Sequence, residues 1–173
     1  MTNSIEELAR AKVILITGSN TSETHPVIAT VIRKAVLENK AKLIIVDPRR
    51  IDLVRHAALW MRQKCGTDIA WVNGIVNSII QQGLQNQAFI DAHTENFEAV
   101  KKCVAAYTPE YVENISGIPA AQIAEAARLF ASAETGSIVY SMGITQHSKG
   151  TDNVRALANL ADRKSTRLNS SHS

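Results

Sequence analysis

The stretch VILITGSNTSETHPVIATVIRKAVLEN, residues 13–39, decides the fold. Val13 to Thr17 is a short, β-branched, apolar run ending at Gly18, the pattern of a buried strand. A polar loop, Gly18 to His25, follows. Pro26 then stands where proline is tolerated, in the first turn of a helix, and the apolar residues beyond it recur at helical spacing. This is one strand–loop–helix unit, and the same pattern recurs on both sides of it.

Downstream, Leu43 to Val46 reads as a second buried strand, closed by Asp47-Pro48. IDLVRHA (51–57) reads as a short helix and ALWMRQ (58–63) as a third, shorter strand. Cys65-Gly66-Thr67-Asp68 punctuates the chain before a longer helix, DIAWVNGIVNSIIQQG (68–83). Residues 86 to 133 read as several helices with breaks near Thr108-Pro109 and Gly117-Ile118-Pro119. GSIVYSM (136–142) is a fourth strand, and Thr151 or Asp152 caps a last helix over NVRALANLA. Upstream, Ser4 and Glu7 fit a capping box opening a helix over IEELARA. Continuous apolar strands alternating with helices predict an α/β fold: a Rossmann-like, doubly wound, mostly parallel sheet with helices on both faces. No internal repeat is visible.

Composition narrows the function. The chain has 173 residues, 45% hydrophobic and 20% charged, which suits one domain with a real core and argues against wholesale disorder. No apolar run approaches the ~20 residues of a membrane helix, and MTNSIEELARAK has no signal-peptide core. The net charge of +3 and isoelectric point near 9.0 come largely from the tail, DRKSTRLNSSHS (162–173), where Arg163, Lys164 and Arg167 oppose Asp162. The rest is near neutral, so no nucleic-acid partner is expected. Apolar periodicity stops after Ala161, and residues 162–173 are expected to be a disordered, non-native tail. Cys65 and Cys103 show no metal-ligand spacing with the five histidines. Both are expected to be buried or half-buried thiols, His56 and His93 structural, and Trp60 and Trp71 core residues. No metal ligands and no catalytic nucleophile are assigned to this chain.

In open α/β sheets ligands bind beyond the carboxyl ends of the strands, which selects four polar loops. The first is Gly18, Ser19, Asn20, Thr21, Ser22, Glu23, Thr24 and His25: a glycine turn with hydroxyl and amide donors before a helix start, suited to phosphate. An ordinary strand-to-helix turn has the same appearance, and the GxGxxG fingerprint is missing. The second is Val46, Asp47, Pro48, Arg49 and Arg50. A carboxylate ending a strand suits ribose hydroxyls, and arginines suit phosphates; a turn-forming Asp-Pro with solvated arginines is the alternative. In the third, Gly66, Thr67 and Asp68, Thr67 caps a helix. Asp68 matches the two adjacent N–H donors of guanine, if the ligand carries that base. The fourth, Met142, Gly143, Ile144, Thr145, Gln146 and His147, follows the late strand, with Gln146 and His147 offering polar contacts.

Together, VILITGSNTSETHP, KLIIVDPRRID, CGTDIAWVNGIV, YTPEYVENISGIP and YSMGITQHSKGTDNVRALANLA resemble the catalytic subunit of molybdenum- or tungsten-dependent formate dehydrogenases, within the wider molybdopterin oxidoreductase family. The resemblance covers about residues 1 to 161 and rests on five motifs in order. It implies a domain that binds molybdopterin guanine dinucleotide, two copies of which hold the metal. Gly18 to His25 would line pyrophosphate and nucleoside, and Val46 to Arg50 ribose and phosphates, with Asp47 the ribose acceptor. Gly66, Thr67 and Asp68 would meet guanine; Met142, Gly143, Gln146 and His147 would approach a pterin.

The resemblance also implies formate oxidation to carbon dioxide in the parent enzyme. The rest of a catalytic subunit and electron-transfer subunits would be the partners. An iron–sulfur cluster and the cysteine or selenocysteine that ligates the metal would lie upstream. Those ligands are not found here, and Cys65 stands where the family usually has proline. The chain is therefore expected to be an internal fragment, inactive alone. Its expected location is cytoplasmic, with any export signal upstream of Met1. The alternatives are another molybdopterin oxidoreductase such as a nitrate reductase, a stand-alone non-enzymatic nucleotide-binding module, and an NAD-binding domain, which the missing GxGxxG disfavours.

Overall fold

A computed structural model describes residues 4–162 and 167–170. Strands β1 (Val13–Thr17), β2 (Lys42–Val46), β3 (Leu59–Met61) and β4 (Gly136–Tyr140) form an all-parallel sheet. The backbone of β5 (Arg167–Ser170) extends it beyond β4, giving the order β3-β2-β1-β4-β5. Part of the stretch expected to be disordered thus has strand geometry. The physical reason is the open edge of β4, whose unpaired N–H and C=O groups template a neighbouring strand. The remainder of that tail lies outside the described residues.

Strand alternation sorts the apolar residues into two cores. Ile14, Ile16, Leu43, Ile45 and Val139 face one layer, built from α1 (Ile5–Arg10), α3 (Pro26–Leu37) and the 3₁₀ turn Asp52–His56. Val13, Leu15, Ile44, Val46, Ile138 and Tyr140 face the other. That layer holds α4 (Asp68–Gln81), α6 (Phe97–Val104), α7 (Pro109–Ser116), α8 (Ala120–Ser132) and α10 (Gly150–Asp162). Two more helices, α5 (Gln87–His93) and α9 (Met142–Thr145), and a four-residue α2 (Thr21–Thr24) complete the order. The doubly wound α/β architecture read from the sequence is the observed one.

Local differences have local causes. Ser4 occupies the N-cap of α1 but makes no side-chain cap bond, so the capping box does not form. The loop after β1 contains α2, held by Thr24 donating from both its N–H and its hydroxyl to the Asn20 carbonyl. The last helix starts at Gly150, before the expected cap, because Asn153 N–H already bonds Lys149 O. Trp71 is fully buried; Trp60 is half-buried, its indole N–H held by Asp47 O at 3.0 Å. Cys65 and Cys103 are both exposed, contrary to expectation, since each stands where its segment faces solvent.

Candidate functional site

The chain runs from β1 outward through β2 and β3, then returns to place β4 on the other side of β1. This reversal of strand order is the topological switch point, where a crevice opens beyond the carboxyl ends. At that point two glycines meet. Gly18 adopts φ +58°, and a Cβ there would lie 2.7 Å from the Gly143 carbonyl carbon. A Cβ on Gly143 would lie 2.6 Å from the Gly18 Cα. Gly143 N–H donates to Gly18 O at 3.0 Å, so the first and fourth loops are joined backbone to backbone.

Beside this junction lies a cavity of about 380 Å³. The first loop contributes Gly18, Ser19, Asn20, Glu23 and Thr24, and the second Asp47, Pro48 and Arg49. The third contributes Gly66 and Asp68, and the fourth Met142, Gly143 and His147. The structure therefore brings all four loops to one site. Other predicted residues stand away from the cavity. Thr21 is buried and bonds Ser19 Oγ through its hydroxyl. Val46 points into the core. His25 is the N-cap of α3, its Nδ1 2.8 Å from Thr24 Oγ1. Thr67 is the N-cap of α4, yet its hydroxyl donates backward to Lys64 O at 2.6 Å instead of capping. Gln146 is exposed and turned toward Met142 Sδ, at 3.3 Å.

Gln63, Cys65 and Ser141 also line the cavity and were not expected there. Gln63 stands two residues after β3 and Ser141 directly after β4, so their positions just past strand ends were the available signal. Cys65 reads from the sequence as a buried or half-buried thiol with no role at the loops.

The site is held together by its polar groups. Asp47 is 2% exposed; its Oδ1 accepts from Arg49 N–H at 2.8 Å, with the Arg49 side chain reaching out to solvent. Arg33 binds Asp52 at 2.7 Å and Ser22 at 3.3 Å, fastening α2 to the 3₁₀ turn after the second loop. His147 Nε2 lies 2.9 Å from Gly143 O. Asp68 is 5% exposed, in the first turn of α4. Burial pushes its carboxyl above the usual carboxylate range; the Trp71 indole, the His147 ring, its own N–H and the Gln63 amide act against that rise. The Trp71 N–H approaches without completing a well-formed hydrogen bond. Thr17 Oγ1, Asn20 Oδ1 and Gln63 Oε1 are buried with no partner. Acceptors left unpaired in this way are costly unless a ligand completes them.

A parallel sheet with a polar crevice at its switch point defines a Rossmann-like fold. The comparisons with known proteins make the class specific. The profile of the family described as molybdopterin oxidoreductase matches residues 1–171. The chain is 47% identical over 161 residues to F420-dependent formate dehydrogenase 2 subunit alpha of Methanococcus maripaludis, covering 93% of this chain and 24% of that one. It is 38% identical to formate dehydrogenase H of Escherichia coli, covering 93% and 22%. Among solved structures, acetylene hydratase from Pelobacter acetylenicus superposes with a TM-score of 0.83 at 29% identity, covering 88% of this chain and 21% of that one. The chain belongs to the molybdopterin oxidoreductase family, and it spans about a quarter of the length of the curated relatives it matches. Membership implies a molybdopterin cofactor carrying molybdenum or tungsten. No helix among the described residues is long and apolar enough to cross a membrane.

Proposed function

We propose that this chain forms the binding wall for the guanine nucleotide end of molybdopterin guanine dinucleotide in a formate dehydrogenase catalytic subunit. The observation that carries the reading is Asp68, a buried carboxylate at the floor of a cavity shared by four loops. Its two oxygens match the adjacent N1–H and 2-amino N–H donors of guanine. The residues present fit such a group. The unpaired acceptor at Gln63 calls for a ligand donor, and the glycine pair lets the first and fourth loops meet backbone to backbone beside the crevice. Asp47 takes the ribose hydroxyls with the carboxylate capacity Arg49 N–H leaves free. Ser19, Asn20, Thr24 and Arg49 donate to the phosphates, while Met142, Gly143 and His147 face the pterin end.

When bound, the metal–pterin group supplies the two-electron chemistry that interconverts formate and carbon dioxide. This chain's residues bind and orient it. The metal ligand, an iron–sulfur cluster and electron-transfer partners would come from other parts of such an enzyme. The relatives named formate dehydrogenase support this substrate. Two measurements test the reading. Calorimetric titration of the chain with GDP and ADP is expected to show clear preference for GDP, lost in Asp68→Asn; equal affinities overturn it. A chimera carrying residues 1–161 in place of the matching segment of the Methanococcus subunit is expected to reduce a viologen dye with formate. A chimera that retains cofactor and lacks this activity overturns the formate assignment.

A further inference from the structure

Gln63 is 7% exposed and lines the cavity beside Asp68, 5% exposed. Its amide interacts with the Asp68 carboxylate, while its Oε1 has no hydrogen-bond partner. The backbone around it is fixed on both sides. Lys64 N–H donates to Ser116 O at 2.8 Å, and the Arg62 guanidinium donates to Pro48 O at 3.1 Å. Trp60, three residues earlier, is tied to Asp47 O. A side chain carried on so constrained a segment, with an acceptor left open beside a carboxylate, is built to receive a donor.

We infer that Gln63 is a specificity-determining residue that accepts the second N–H of the guanine 2-amino group, next to the pair taken by Asp68. This rests on the guanine reading above and deepens it. Asp68 by itself recognises one N1–H and one amino N–H. Three acceptor oxygens, two from Asp68 and one from Gln63, match the three N–H bonds that guanine carries on this edge. Hypoxanthine lacks the amino group entirely, and adenine has no N–H at N1. The chemistry selected is a 2-amino-6-oxopurine, with Gln63 reading the amino group.

The test is calorimetric titration of the 173-residue chain with GDP, IDP and ADP, in wild type and in Gln63→Leu, which keeps the side-chain volume and removes the acceptor. The expected result is that Gln63→Leu weakens GDP about five- to tenfold, the scale of one neutral hydrogen bond, and leaves IDP unchanged. Equal weakening of GDP and IDP, or no weakening, overturns the role of Gln63 while GDP preference over ADP leaves the guanine site standing. Wild type that does not prefer GDP to ADP overturns the guanine reading and this inference with it. A second measurement needs no variant: GDP methylated once on the 2-amino nitrogen keeps one N–H for Asp68 and loses the other. Wild type is expected to bind it about tenfold more weakly than GDP; equal affinity overturns the proposal.

Discussion

The carboxyl edge of the sheet and the two cores beneath it follow opposite rules. In the cores, Ile14, Leu15, Ile16, Ile44, Ile45 and Phe130 are fully buried among apolar neighbours, where close packing sets the energy. Just beyond the strand ends, the edge buries Thr17, Ser19, Asp47, Gln63 and Asp68, two of them (Thr17 and Gln63) with a polar atom left unpaired. Burying such groups opposes folding. The difference teaches that the cores supply stability, whereas the edge keeps polar groups whose burial opposes it.

Substitutions can break or sharpen this contrast. The largest effect is expected in the core: Phe130→Ala should lower the unfolding free energy by about 3–5 kcal/mol, read by urea unfolding, with bound-state nucleotide specificity unaltered in whatever fraction stays folded. A loss below about 1 kcal/mol would mean that this layer is loosely packed. Next is Gly143→Ala, whose Cβ meets backbone rather than a yielding side chain. It should cost about 1–3 kcal/mol by overpacking and also weaken GDP binding, since the first and fourth loops must separate. Unchanged affinity alongside lost stability would show that the glycine junction serves folding alone.

The third runs in the opposite direction. Burial raises the folded pKa of Asp68 above its unfolded value of about 3.9. The folded state therefore binds that proton more readily. The stability it contributes is full below the unfolded value and is lost as pH rises through the raised folded one. At pH 7 the ionised group opposes folding, so Asp68→Asn should raise Tm by about 2–4 °C while abolishing GDP preference. The gain should disappear below about pH 3.9. A Tm that falls at pH 7 would show that the carboxylate holds the edge together instead. The smallest effect belongs to Arg33→Ala. Its ion pair with Asp52 is partly solvated, and about 0.2–1 kcal/mol is expected, checked by thermal unfolding in low and high salt, with the difference narrowing in salt.

The readable parts of this molecule were those with a local physical signal. VILIT and LIIV announced buried strands because apolar runs of that length, bounded by Gly18 and Asp47, have few other solutions. The place of Asp68 was legible too: the residue opening the helix after the third loop lines the cavity. Gln63 was not: a single polar residue after a three-residue strand has no periodicity, and its burial (7% exposed) beside the cavity is set by tertiary packing. Gln146 and Thr67 stand away from the cavity. Their types suited binding, but each satisfied itself within its own turn, on Met142 and Lys64. The exposed Cys65 and Cys103 were misjudged because burial is a property of neighbours, not of residue type.

By itself, then, the order of apolar runs, turns and helical periods determined a parallel α/β sheet and pointed to the loops at one end of it. That information is carried by contacts between residues near in sequence. Only the tertiary structure decided that β4 lies against β1, more than a hundred residues apart in the chain. The same arrangement seats Gly143 on Gly18 and puts Gln63 beside Asp68 in one cavity. Such juxtapositions depend on strand order and on which side chains two packed layers leave uncovered, and no local pattern encodes either.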